Sequence, residues 1–101
     1  MLFNKGGTEL IRYPAGRTDA VYNIPDGTAA IAAEAFKLYY ADSTGNALER
    51  VVFPSSLKKV GNNAFMQTNL KSVTIPANVN MGKYAFNLIP DLQTIFIISL
   101  I

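Results

Sequence analysis

Cysteine and histidine are both absent from the 101 residues. Their absence excludes disulfides, thiol nucleophiles, zinc sites built on Cys or His, and every Ser-His-Asp or Cys-His arrangement. Charge is sparse as well: Asp, Glu, Lys and Arg make up 16% of the chain, and nine Lys and Arg against seven Asp and Glu leave a net +2. So small an excess, scattered rather than clustered, does not point to nucleic acid or an anionic membrane as partner. The start Met1-Leu2-Phe3-Asn4-Lys5-Gly6-Gly7 lacks the basic segment and apolar run of a signal peptide. The apolar stretch at 95–101 is too short to insert in a bilayer, which takes about 20 helical residues, and reads as a strand. No Asn-x-Ser/Thr acceptor for glycosylation occurs.

What is present is half hydrophobic, 50% of the residues. A globule of this mass buries roughly 65% of its unfolded surface, enough for one modest core. The chain is therefore one domain or a piece of one.

Self-similarity organises that core. Leu48-Glu49-Arg50-Val51-Val52-Phe53-Pro54 aligns with Leu70-Lys71-Ser72-Val73-Thr74-Ile75-Pro76, and Val60-Gly61-Asn62-Asn63-Ala64-Phe65 with Met81-Gly82-Lys83-Tyr84-Ala85-Phe86. Leu48, Leu70 and Leu92 are 22 residues apart, as are Pro54 and Pro76. An earlier copy runs from Tyr22 through Pro25 to Ala35-Phe36, but Pro25 and Pro54 are 29 apart, seven residues more than the period. The surplus falls in 38–46. A fourth copy opens at Leu92. Within a unit, Leu70, Val73 and Ile75 alternate inward while Ser72 and Thr74 face out, and the proline ends the strand because it cannot donate the next ladder bond. Gly61 and Gly82 permit a tight return. Phe36, Phe65 and Phe86 are expected to stack as a buried aromatic ladder. One such unit cannot bury its own apolar face, so the copies must stack. Before them, Leu2-Phe3-Asn4 and Thr8-Glu9-Leu10-Ile11-Arg12-Tyr13-Pro14 read as a hairpin about the Gly6-Gly7 turn, either capping the first coil or left from an upstream repeat.

The unit Leu-x-x-Val-x-Ile-Pro-x-x-Val-x-x-Met-Gly-x-x-Ala-Phe resembles the BspA-like leucine-rich repeat, and the opening residues 2–16 resemble the segment that often precedes such arrays in gut bacterial proteins. The resemblance implies a fragment of a gut bacterial protein, exported and cell-surface or secreted, acting as an adhesin on host or extracellular proteins rather than as an enzyme. Three departures stand out: the surplus in repeat one, the residue missing before Met81, and Ile98-Ser99-Leu100-Ile101 where a proline turn belongs. The expected fold is an α/β-type leucine-rich repeat, a right-handed solenoid of about three 22-residue coils with a parallel sheet behind the N-terminal β-hairpin. Residues 1–18 form the cap, 19–47 repeat one with its insertion, 48–69 repeat two, 70–91 repeat three, and 92–101 the start of a fourth.

Candidate sites stand beside plainer readings. Lys5-Gly6-Gly7-Thr8 lacks the frame of a phosphate loop and suits a hairpin turn. Ser55 and Ser56 with Lys58 and Lys59 have the residue types of a Ser-Lys dyad, yet nothing predicts a buried Lys. Asp26, Glu34 and Asp42 have no apolar pocket to make a glycosidase pair. The bulge with Tyr39, Tyr40 and Asp42 is where binding residues collect on a rigid scaffold, although one Tyr suits the core and insertions there are cheap in entropy. The outward row Arg50, Val52, Ser72, Thr74, Thr94 and Phe96 is a short, mixed sheet face. The expected function is protein interaction without catalysis, cofactor or metal. The alternatives are a structural spacer and a hydrolase or carbohydrate-binding module around Tyr39-Tyr40. The apolar ends, residues 95–101 above all, are expected to self-associate.

Overall fold

The computed structural model describes residues 1–14, 17–38, 47–87 and 89, and the backbone of 94–97. Among the described residues nine short strands account for the regular structure: β1 (Leu2–Phe3), β2 (Glu9–Arg12), β3 (Val21–Asn23), β4 (Ala30–Ile31), β5 (Arg50–Val52), β6 (Lys59–Val60), β7 (Ser72–Ile75), β8 (Asn80–Met81) and β9 (Thr94–Ile97). They form two sheets, one in the order β3-β5-β7-β9 and one in the order β1-β2-β4-β6-β8. Every pairing is parallel except β1 with β2. Each repeat thus places its proline-terminated strand in the first sheet and its return limb in the second.

The expected α/β-type coil with one sheet differs here. Among the described residues no helix forms, and the return limbs build a sheet of their own. The reason is length. Between Pro54 and Ala64 the chain makes the Ser55-Ser56 turn, runs straight for two residues, and turns again at Asn63, whose φ is 59°. That span is too short to repay helix nucleation.

The core lies between the sheets. Val51, Val73 and Ile75 point into it from one side and Leu10, Ile31 and Val60 from the other, with Leu48, Leu57 and Leu70 filling the turns. The aromatic ladder forms, and Tyr13 extends it: Tyr13, Phe36, Phe65 and Phe86 stack with centroid separations of 4.9, 4.5 and 5.1 Å and interplanar angles of 20°, 19° and 6°. These separations approximate the ~4.8 Å between neighbouring strands, because each ring rides on one coil and each coil advances by one strand. Offset stacking contributes about 0.5–1.5 kcal/mol per pair beyond area burial. Phe53 meets Phe65 edge-on at 5.7 Å.

The backbone closes the stack along the same line. The N–H groups of Tyr13, Phe36 and Phe65 donate to the carbonyls of Ala35, Ala64 and Ala85, one coil further on. So close an approach requires glycine at Gly61 and Gly82: a Cβ on Gly61 would collide with the backbone of Ala32 and Ala33, and one on Gly82 with that of Gly61 and Asn62. The hairpin occupies the first place in the stack. It reaches Tyr13 three residues after Leu10, where the coils take five from Ile31 to Phe36. Its turn is held by Asn4, whose side-chain oxygen accepts from the N–H of Thr8 at 2.8 Å and of Glu9 at 3.0 Å. Arg12 supplies what the shortened path lacks. Its guanidinium nitrogen donates to the carbonyls of Glu34, Ala35 and Lys37 at 2.8, 3.5 and 3.0 Å. The Met66 carbonyl, which holds the place of Lys37 in the next coil, accepts from the Leu38 backbone N–H instead.

Candidate interaction surface

Parallel register sets the outward face of the first sheet. Val21 pairs with Arg50, Arg50 with Ser72 and Ser72 with Thr94, while Asn23 pairs with Val52 and Thr74 with Phe96. Side chains alternate along a strand, so Tyr22, Val51 and Val73 turn into the core and their neighbours turn out. Arg50 and Thr74 are exposed and Ser72 is half-buried. Val21 and Val52 are apolar yet 36% and 45% exposed, which leaves aliphatic surface among the polar groups.

The face is not flat. Between β5 and β7 lies a depression of about 200 Å³ lined by Arg50, Val52, Phe53, Ser72, Thr74 and Pro76. A second, of about 260 Å³, adjoins it and is lined by Val21, Glu49, Arg50, Lys71 and Ser72. Arg50 and Ser72 line both. Lys71 and Glu49 pair at 3.2 Å on this border, with the Lys71 N–H bonded to the Glu49 carbonyl beneath. Among the described residues no such partner meets Arg50.

Of the residues singled out from sequence, Arg50, Ser72 and Thr74 come together here. Thr94 holds the next register position beside Ser72. Tyr39, Tyr40 and Asp42 lie outside the described residues. Ser56 does not face Lys58 or Lys59: its hydroxyl accepts from the Gly27 N–H at 3.0 Å and donates to the Thr28 carbonyl at 2.9 Å, tying two coils together. Asp26 is exposed in a turn, and Glu34 pairs with Lys37 at 3.6 Å. Val21 and Asn23 belong to the face but fall outside the outward row that the sequence predicts. Aligning Pro25 with Pro54 places Val21 over Arg50 and Asn23 over Val52, a signal blurred by the seven-residue surplus between the copies.

Beside the face, Tyr13 and Tyr22 lie 5.2 Å apart between centroids, and the Arg17 guanidinium stands 5.9 Å over the Tyr13 ring while pairing with Asp19 at 2.9 Å. Burial pushes both phenols above their ordinary range, for Tyr13 against the pull of Arg17. Among the described residues the buried Tyr13 hydroxyl has no partner at hydrogen-bond distance. Among the described residues no cluster of acidic groups could hold a metal ion, and no helix is long and apolar enough to cross a membrane.

Comparison with known proteins agrees with this geometry. The family described as BspA type leucine rich repeat region (6 copies) matches residues 21–101. No curated protein matches. A crystal structure at 2.50 Å of a leucine-rich repeat protein from Eubacterium ventriosum ATCC 27560 superposes with a TM-score of 0.79 at 27% identity, covering 96% of this chain and 25% of that one. The chain thus spans a quarter of the length of that protein. With matching strand-proline and Gly-x-x-Ala-Phe units, stacked return limbs and this agreement over four fifths of its residues, the chain belongs to the BspA-type leucine-rich repeat family.

Proposed function

We propose that the chain is a non-enzymatic protein-interaction module of a cell-surface or secreted adhesin-type protein, and that the outward face of the β3-β5-β7-β9 sheet makes the contact. The observation that carries this reading is the mixed surface on a rigid support: Val21, Val52, Arg50, Ser72 and Thr74 project from strands whose alternate residues are locked in the core. A surface held in place by packing gives up little entropy when a partner docks. The partner is a host or extracellular protein. The reading includes three coils of about 22 residues wound right-handed, the sense taken by about 98% of parallel strand crossovers.

The immobilised chain is expected to retain at least one member of a panel of purified extracellular matrix and plasma proteins. Val52→Glu is expected to weaken that binding about tenfold, the cost of losing a central apolar contact, with an unchanged melting temperature. Full binding by Val52→Glu and Thr74→Arg alike would overturn the proposal.

A further inference from the structure

Resting on that reading, we infer that Arg50 receives a carboxylate from the protein partner and that Val52 receives an aliphatic side chain two residues along the same extended segment. Charge carries the first half. Arg50 is exposed at the centre of the face and lines both depressions, yet no acidic group pairs with it among the described residues. The nearest carboxylate along the chain, Glu49, is already engaged by Lys71 at 3.2 Å, so the border of the face is neutralised and its centre is not. A guanidinium presents a planar fork that matches a carboxylate, and the hydroxyls of Ser72 and Thr74 line the same depression as further donors.

Shape carries the second half. Below Arg50 the depression becomes apolar, with Val52, Phe53 and Pro76 on its walls. Arg50 and Val52 are two residues apart on one strand and therefore on one face, separated by about 6.6 Å. An extended peptide lying along β5 repeats that spacing between its own residues i and i+2. The complementary segment is an acidic residue, any residue, then an aliphatic one. Reversed charge would place like beside like, and an adjacent acid and aliphate would point to opposite sides of the peptide.

The test uses the whole chain, labelled with nitrogen-15 and titrated with blocked peptides to millimolar concentration. The peptide Thr-Glu-Thr-Val-Thr is expected to shift the amides of Arg50, Val52, Ser72 and Thr74. Thr-Lys-Thr-Val-Thr is expected to bind about fivefold more weakly, the worth of an exposed charge pair at its upper end, and Thr-Glu-Val-Thr-Thr to bind more weakly as well because it cannot set both side chains on the face. Arg50→Glu, whose side chain lies in solvent, is expected to keep its fold and to exchange the preference between the Glu and Lys peptides. Equal binding of all three peptides at this face would overturn the carboxylate assignment and leave the face as an interaction surface. Equal shifts from inorganic phosphate would overturn it as well, marking a general anion site. Absence of any shift at these four amides also overturns it, while the Val52→Glu binding comparison decides separately whether the face is used at all.

Discussion

Leu10 and Met81 hold equivalent places in the return sheet, separated by Ile31 and Val60, yet Leu10 is fully buried and Met81 is 37% exposed. The rings on the ladder differ in the same way: Phe65 is fully buried between Phe36 and Phe86, whereas Phe86 is only partly buried and Tyr84 beside it is 66% exposed. Among the described residues the difference lies in what stands next in the stack. At the N-terminal side β1 covers the edge of β2, Tyr13 covers Phe36, and Arg12 takes up the carbonyls of Glu34 and Lys37. A coil of this kind is therefore stabilised by its neighbours more than by its own strands, as expected of stacked repeats.

The largest effect should come from breaking the ladder in its middle. Phe65→Ala removes two stacked contacts and one edge contact from a fully buried site, and is expected to cost about 3–5 kcal/mol. Phe86→Ala, with one stacked partner among the described residues and only partial burial, is expected to cost about 1–2 kcal/mol. Urea denaturation of the two variants measures the gap directly. Equal costs would remove the distinction between an inner and an outer coil.

Arg12 tests the closed end. Arg12→Ala should lose about 1–3 kcal/mol because partly buried carbonyls lose a charged donor. Arg12→Lys should recover only part of this, since the shorter lysine side chain does not carry its ammonium as far as the guanidinium nitrogen that makes all three bonds. A loss that Lys restores in full would assign Arg12 a role through charge alone.

Tyr13→Phe should stabilise the protein by about 1 kcal/mol, since it makes the ladder's first ring like the others and removes a buried hydroxyl that has no hydrogen-bond partner among the described residues. The sign of its pH dependence follows from burial. Because the folded protein holds the Tyr13 phenol above its ordinary value of 10.0, stability is complete below that value and falls as the pH rises through the folded one. Alkaline melting curves of Tyr13→Phe should therefore fall less steeply, with Tyr22 supplying the remainder.

The smallest effect concerns the turn before Ala-Phe. Glu34, Asn63 and Tyr84 occupy the same place in successive coils, all left-handed with φ of 61°, 59° and 58°. Asparagine adopts that conformation at less cost than tyrosine. Tyr84→Asn is expected to raise stability by about 0.5–1 kcal/mol, since the exposed ring contributes little packing to lose. Thermal melts at neutral pH would resolve it.

Much of this architecture is legible in the amino-acid order alone. Proline spacing sets the register of Arg50 on Ser72, and alternation about Val73 separates core from face, because burial on one side of a strand leaves a period of two in the sequence. The phenylalanine ladder follows from Ala-Phe recurring at one place in each unit. The return sheet is not legible in this way. Strands of two residues, such as Ala30–Ile31 and Lys59–Val60, are too short to show alternation and form only because neighbouring coils align them. Nor does the sequence assign Arg12, since the carbonyls it serves lie 22 to 25 residues away and are gathered only by the turn at Glu34. Of the surface residues, Arg50, Ser72 and Thr74 can be read from alternation, whereas Tyr39, Tyr40 and Asp42 sit where the repeat breaks and no periodicity locates them.

Native-state amide hydrogen exchange tests the stacked spine most directly. The N–H groups of Tyr13, Phe36 and Phe65 should share the slowest exchange in the molecule, each bonded to the next coil's alanine carbonyl, while the Phe86 N–H, with no such acceptor among the described residues, exchanges orders of magnitude faster. Uniform exchange across all four, or fast exchange at Phe36 and Phe65, would contradict a continuous core shared between coils.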